Sequence, residues 1–340
     1  MGTKQGDPLS SLLFNAVLQD IVDEVRPRWV KLSHGLFVGP GPEHLLSILR
    51  FADDCLLLAP SAVKLERMTE AFAIAAKKRG LEIHPEKTKA FTNATKGRGR
   101  PQRTSLRCMG DTIEILPVDG HVKYLGRQLC FEQPTEVEVD NRISQAWKRF
   151  MANREEFTDR RTSVNMRLKL FDGTVAATML YGTEAWTMTT EQASKVRRAQ
   201  RRMLRLILGH GRRKIEGGEV EPWHEWVQRA TAQAEARLLK LGLKDWVTTH
   251  YQHKWRWACK IASMDTDRWA WRAAAYTPEF ELRSQRDVGH PHRRWSDQIT
   301  SFLISGGIFN AWWDAARDSA FWQSLEDAFV NSCHAGTGRI

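Results

Sequence analysis

The sequence predicts an α+β protein: short antiparallel strands and helices over residues 1–132, then helices alone over 133–215 and 216–340. Three observations carry this. The apolar runs Leu45-Leu46-Ser47-Ile48-Leu49 and Leu56-Leu57-Leu58-Ala59 are short and bounded, as buried strands are. Between them, Phe51-Ala52-Asp53-Asp54 forms a tight connection. Further on, Ile143 to Phe150, Val164 to Leu180 and Gln192 to Leu208 repeat apolar residues with helical spacing.

In chain order, Asp7 followed by Pro8 is a helix start: a side-chain acceptor, then Pro at the first helical position. Leu9, Leu12, Leu13, Ala16, Val17 and Ile21 follow at helical spacing. Before the cap, Gln5 and Gly6 lie in a loop that brings backbone close to a ligand, because Gly6 lacks a Cβ. The helix N-terminus that follows favours phosphate. Ser61 caps a second helix with Leu65, Met68, Phe72, Ala75 and Ala76 as its buried stripe. That helix stops at Lys77-Lys78-Arg79-Gly80. Gly80-Leu81-Glu82-Ile83 reads as a short strand entering a basic turn with Lys87 and Lys89. Val122-Lys123-Tyr124-Leu125-Gly126 reads as another, closed by Gly.

Asp53 and Asp54 are the candidate site. Paired carboxylates beside a sheet need positive charge, and their hard oxygens suit Mg²⁺ or Mn²⁺. A bare Asp-Asp pair is also an ordinary solvated turn; the neighbouring motifs separate the two readings.

Taken in order, these segments resemble the reverse transcriptases of non-long-terminal-repeat (LINE-type) retrotransposons. Gln5-Gly6-Asp7-Pro8-Leu9-Ser10 is similar to that family's helix-entry motif, and Phe51-Ala52-Asp53-Asp54 to its catalytic aspartate box. Gly80-Leu81-Glu82-Ile83 with Lys87-Thr88-Lys89 resembles the next motif, and Tyr124-Leu125-Gly126 the primer grip. Ser11 departs from the Pro that many relatives carry. The resemblance implies a partial palm with primer-grip region over 1–132, a basic thumb-like region over 133–215 and a Trp-rich helical region over 216–340.

It also implies an activity, RNA-directed DNA polymerisation by nucleotidyl transfer with two Mg²⁺ (or Mn²⁺) ions. Asp53 and Asp54 are the implied catalytic and metal-binding residues. Gln5 and Gly6 would lie against template and incoming nucleotide, Lys87 or Lys89 against the triphosphate, and Tyr124, Leu125 and Gly126 against the primer terminus. From the residues alone, Lys87 also reads as a solvated turn and Tyr124-Gly126 as a simple edge strand. The implied partners are an RNA template, a DNA primer or target, and deoxynucleoside triphosphates. The family holds its metals with three aspartates, one from a strand ahead of the Gln-Gly-Asp-Pro motif. The expectation is therefore a fragment truncated before its first catalytic aspartate and inactive alone. A non-catalytic nucleic-acid-binding module and a decayed element are the alternatives.

The charge agrees. Against 40 Asp and Glu stand 51 Lys and Arg, a net charge of +11 that favours a polyanionic partner. From Lys195 to Lys214 there are nine Lys or Arg and no acid. Arg197, Arg198, Arg201, Arg202, Arg205, Arg212, Arg213 and Lys214 are the candidate nucleic-acid contacts. Lys96-Gly97-Arg98-Gly99-Arg100 starts a second basic loop.

Beyond a linker at Glu216-Gly217-Gly218-Glu219, 11 of the 14 tryptophans appear, and their helical spacing favours core over base stacking. Gly289-His290-Pro291-His292-Arg293-Arg294-Trp295 resembles the tail after the family's thumb, with His290 and His292 in place of basic residues. His250, His253 and Cys259 lack a Cys-x-x-Cys partner, which argues against structural zinc. The five scattered cysteines fit a reducing, intracellular setting. The family implies nucleus or cytoplasm, as a ribonucleoprotein. No run is long and apolar enough to span a membrane.

Overall fold

The computed structural model describes residues 7–39, 41–93, 103–214, 218–276 and 294–336. Gln5, Gly6, the basic loop at 96–102, Glu216-Gly217 and residues 289–293 lie outside them. The chain forms two compact units, residues 1–134 with 267–289, and residues 135–266 with 290–340.

In the first unit, α1 (Pro8–Lys31) starts as its sequence directs: Asp7 accepts from the Leu9 amide at 2.9 Å, with Pro8 behind it. Its buried face, however, is Leu18, Ile21, Val22, Val25 and Trp29. Leu9, Leu12, Leu13, Ala16 and Val17 are exposed, and of the expected stripe only Ile21 is buried. The helix carries two apolar rows, and periodicity alone does not say which meets a partner. Packing on α2 (Ala62–Lys78) selects the second row, where Met68, Phe72, Ala75 and Ala76 complete the core.

Ser61 caps α2 by accepting from the Lys64 amide. Its end is a Schellman turn: Leu81 N–H donates to the Ala76 carbonyl and Gly80 N–H to that of Lys77, with Gly80 at φ +75°. Arg79 then bonds Asp20 at 2.5 Å and Glu24 at 2.7 Å, fastening the helix end to α1.

Among the described residues the strands form four small sheets, in keeping with the expected partial palm of short strands and helices. β1 (Leu36–Phe37) pairs with β2 (Leu45–Leu46), and β3 (Ile48–Phe51) with β4 (Asp54–Leu57). β5 (Ala90–Phe91) runs parallel to β7 (Asp111–Leu116), which forms a hairpin with β6 (Ser105–Cys108). β8 (Val122–Tyr124) pairs with β9 (Arg127–Leu129). The expected strand at Gly80-Leu81-Glu82-Ile83 has no ladder partner among the described residues. Leu81 and Ile83 pack on the α1–α2 core, so burial alternates as in a strand while pairing is absent.

The second unit is helical: α3 (Pro134–Ala152), α4 (Arg154–Thr158), α5 (Val164–Phe171), α6 (Ala177–Met179), α7 (Thr190–Leu208), α8 (Trp223–Lys240) and α9 (Trp246–Ala262). α10 (Trp269–Ala275) falls in the first unit. The second continues with α11 (Asp297–Ser305), α12 (Trp312–Arg317), α13 (Ser319–Ser324) and α14 (Glu326–His334). The expected boundary between 215 and 216 therefore lies inside this unit. The helix predicted from Val164 to Leu180 widens to a π turn at Asp172–Ala176. Gly173 sits in that turn, and Thr174 and Thr178 turn their hydroxyls back to carbonyls four residues earlier.

Four of the late tryptophans, Trp246, Trp255, Trp312 and Trp322, are buried, as the core reading expected. His250 is buried against the Thr183 hydroxyl at 2.6 Å, and Cys259 Sγ reaches the Ala316 carbonyl. All five cysteines are free. No helix among the described residues is long and apolar enough to cross a membrane.

Candidate active site

β3 and β4 pair from Ile48↔Leu57 to Phe51↔Asp54, which leaves Ala52-Asp53 as a two-residue turn. Ile48, Cys55 and Leu57 pack on the α1–α2 core and set the register of the hairpin. Arg50 reaches across to Gln19 of α1 and braces the strand. Ala52 takes φ +52°. A positive φ at the first turn position normally calls for Gly, and holding Ala there costs roughly 1–2 kcal/mol. The sequence signal was available: a two-residue hairpin turn without Gly, Asn or Pro.

The strained turn puts both Asp53 and Asp54 at an exposed tip. Neither carboxylate has an ion pair or hydrogen bond among the described residues. Two unpaired hard-oxygen donors fit a divalent cation such as Mg²⁺ or Mn²⁺. Among the described residues no third His, Cys, Asp or Glu side chain joins them in a metal-binding group.

The β8–β9 hairpin reaches the same place. Tyr124 pairs with Arg127, and the turn residues Leu125 and Gly126 take φ +47° and +77°. That is a I′ turn, whose twist matches the strands it joins. Burial raises the Tyr124 hydroxyl above the usual phenol range, and the charge of Asp54 adds to the shift. Burial also raises the Cys55 thiol, with Arg50 opposing and Asp54 and Asp53 adding to the shift. Tyr124 and Asp54 thus share one electrostatic neighbourhood. Lys87 lies exposed in the turn after Ile83, its amide on the His84 carbonyl. Lys89 differs: it is spent on Glu114 at 2.9 Å.

Replacing Ala52 with Gly is expected to stabilise the first unit by up to about 1 kcal/mol, and Ala52→Val to destabilise it by more than that. Urea unfolding of both variants checks this. Equal effects of one sign would show that the turn holds no strain.

The basic run is distributed differently in space than along the chain. No acid interrupts it in sequence, yet acids from other helices meet it. Lys195 bonds Glu136 and Asp140 of α3. Arg201 pairs with Glu235 of α8 at 2.7 Å, and Arg197 lies 3.7 Å from Asp245. Arg205 donates to Thr231, and Arg202 lies over the Trp147 ring. Arg212 donates to the Glu221 carbonyl at 2.6 Å. Arg198, Arg213 and Lys214 are exposed. Several of these cations therefore join helices within the unit.

Residues 1–129 match the family model described as reverse transcriptase (RNA-dependent DNA polymerase). A putative uncharacterized transposon-derived protein of Caenorhabditis elegans is 26% identical over 288 residues, covering 82% of this chain and 95% of that protein. A retrovirus-related Pol polyprotein from the type-1 retrotransposable element R2 of Popillia japonica is 25% identical over 328 residues. That match covers 94% of this chain and 49% of the polyprotein, so the chain spans about half its length. A second such R2 polyprotein of Popillia japonica is 33% identical over 128 residues, 37% of this chain and 17% of the polyprotein. No solved structure matches the chain significantly. Motifs and relatives point one way: residues 1–129 are similar to reverse transcriptases, and the relatives are transposon-derived and R2 retrotransposon proteins.

Proposed function

We propose that the chain is the palm-to-thumb part of an RNA-directed DNA polymerase of a non-long-terminal-repeat element. The observation that carries this is the unpaired Asp53–Asp54 tip, raised on a strained two-residue turn beside Tyr124. In the reaction, a primer 3′-hydroxyl attacks the α-phosphate of a deoxynucleoside triphosphate. A phosphodiester forms, the bond to pyrophosphate breaks and the hydroxyl proton leaves. Bound divalent ions supply charge stabilisation to such a transfer, and Asp53 and Asp54 are the residues here that would hold them. The Tyr124-Leu125-Gly126 turn steadies the primer end. Lys87, exposed and without an acid partner among the described residues, would meet the triphosphate. Gln5 and Gly6 contribute the template and nucleotide contacts of the helix-entry motif. Arg198, Arg213 and Lys214, exposed on the second unit, would contribute contacts to the nucleic-acid backbone.

Sites of this type take three aspartates, and the described residues bring two together. The chain by itself is accordingly expected not to extend a primer on an RNA template with Mg²⁺ or Mn²⁺. Fused behind a family segment that carries a further metal-binding aspartate, it is expected to extend, and Asp53→Ala is expected to abolish that extension. Robust extension by the chain alone, lost in Asp53→Ala, would overturn the expected dependence. Extension by the fusion that survives Asp53→Ala would overturn the site.

A further inference from the structure

The junction of α7 and α8 holds a second arrangement outside the polymerase motifs. A concave pocket of about 500 Å³ opens there, lined by Arg160, His210, Arg213, Arg229 and the Gly209 and Gly211 backbone. This lies within the usual size range of small-ligand sites, roughly 300–1,000 Å³. Its charges are sorted by partner. Arg229 grips Glu221 with two bonds of 2.8 and 2.6 Å, so that pair is neutral and forms a wall. Asp159 is taken by Arg161 at 3.1 Å, beside Arg160. No carboxylate among the described residues forms an ion pair with Arg160 or Arg213. Glu221 also accepts from the Arg213 amide at 3.1 Å and feels its charge, so three guanidinium groups share one carboxylate and the lining keeps a surplus of two positive charges. The carbonyl end of α7 opposes an anion here, but one partial charge does not cancel two guanidinium groups.

An aromatic face accompanies the cations. Trp223 is 53% exposed, more than any other tryptophan among the described residues. Its ring centroid lies 5.2 Å from that of Trp226. The Trp226 indole N–H donates to the His210 carbonyl at 2.8 Å, which ties the aromatic pair to the rim of the pocket. The other late tryptophans among the described residues are buried or half-buried; Trp223 is not. A cationic seat beside an open aromatic face is the arrangement that holds single strands, through phosphate and stacked base. A duplex keeps its bases stacked on one another and has none to offer Trp223.

We infer that the α7–α8 junction binds single-stranded nucleic acid, with a backbone phosphate between Arg160 and Arg213 and a base stacked on Trp223. The choice of a polynucleotide rests on the reverse-transcriptase reading, while the site uses no residue of the Asp53–Asp54 hairpin.

The test is fluorescence anisotropy of the full chain with labelled 12-residue oligo(dT), oligo(U) and a 12-base-pair duplex across a salt series. Trp223→Ala is expected to weaken both single strands by roughly 5- to 100-fold, the loss of one stacked base, and to leave the duplex nearly unchanged. Trp223→Phe retains most of the affinity. Arg160→Ala with Arg213→Ala, both at exposed positions, lowers the salt slope for single strands by about 0.7, the value for the one phosphate they hold. Unchanged single-strand binding in the Trp223→Ala and arginine variants, or an equal loss for duplex, overturns the inference. So does a chain that binds no single strand at all. A fusion that never extends a primer, with single-strand binding that still depends on Trp223, separates failure of the polymerase reading from failure of this one.

Discussion

Trp322→Ala is expected to destabilise the helical unit by about 3–5 kcal/mol, the cost of removing a large buried aromatic and leaving its space. Trp255 and Trp322 stack at 3.8 Å between centroids and 7° between planes. Each indole N–H donates to the other residue's backbone carbonyl, at 2.8 and 2.9 Å. Phe329 stacks on Trp255 at 4.5 Å, and Phe302 meets its edge. Alanine removes the ring and also the second donor to the Trp255 carbonyl, which keeps its helix bond within α9, a loss of about 0.5–1.5 kcal/mol in itself. Such a change is a large part of the roughly 5–15 kcal/mol that holds a domain folded. Trp322→Phe keeps much of the packing and loses only the hydrogen bond, so it is expected to cost less. Denaturant unfolding followed by near-ultraviolet circular dichroism measures both. A loss under about 1 kcal/mol for Trp322→Ala would mean that the pair is not central to the core.

The second large effect is a pH dependence centred on Lys254. Its ammonium is fully buried, bonded to Thr187 Oγ1 at 2.7 Å and Gln298 Oε1 at 2.8 Å, with the Trp295 ring 5.6 Å away. No carboxylate forms an ion pair with it among the described residues. Burial lowers its pKa from 10.5 to about 7, and the more distant charges of Cys333 and Asp297 offset only part of that. His250, also buried, is pushed well below the usual imidazole range, in part by Lys254 itself.

The unfolded chain keeps the lysine proton up to about pH 10, whereas the folded protein releases it near 7. Between those values the unfolded state binds more protons, so folding stability rises with pH across the window. Below about pH 7 both states are protonated and the penalty is constant. Over the whole window the change is on the order of 3–5 kcal/mol. Lys254→Met keeps the stem and removes the titration. The stability of the native protein relative to Lys254→Met is therefore expected to climb between pH 7 and 10. Above the window the native protein leads, because a neutral amine still donates to Thr187 and Gln298. Urea titrations at several pH values test this, and a difference that does not vary with pH would refute it.

These two side chains also mark a limit of reading the chain linearly. The helical period of the late tryptophans indicates core, and that core is observed. It does not pair Trp255 with Trp322, which are brought together by tertiary packing. Nothing local distinguishes Lys254 from the exposed Lys260 on the same helix. The difference is which helix face meets the rest of the unit.

The helix signals near the polymerase motifs were readable because they are short-range. Asp7-Pro8, Ser61 and Gly80 each act on backbone groups within a few residues, so composition and order suffice. The Asp53–Asp54 hairpin was readable for the same reason, with flanking apolar runs setting its register and only two residues left to turn. The motif order then indicated the family, and matched relatives support it.

Partner-dependent features were not readable. Leu9, Leu12, Leu13 and Val17 have the same periodicity as a buried row, yet the α1 face that meets α2 is the other one. The cations from Lys195 to Lys214 have no acid in sequence, yet Glu136, Asp140 and Glu235 reach several of them in space. Trp223 shares the composition of its region and stays exposed, while Arg160 and Arg213 become a pair only through the fold. Caps, turns and strand register follow from neighbours along the chain. Which face is buried, and which charge remains uncompensated, follows from neighbours in space.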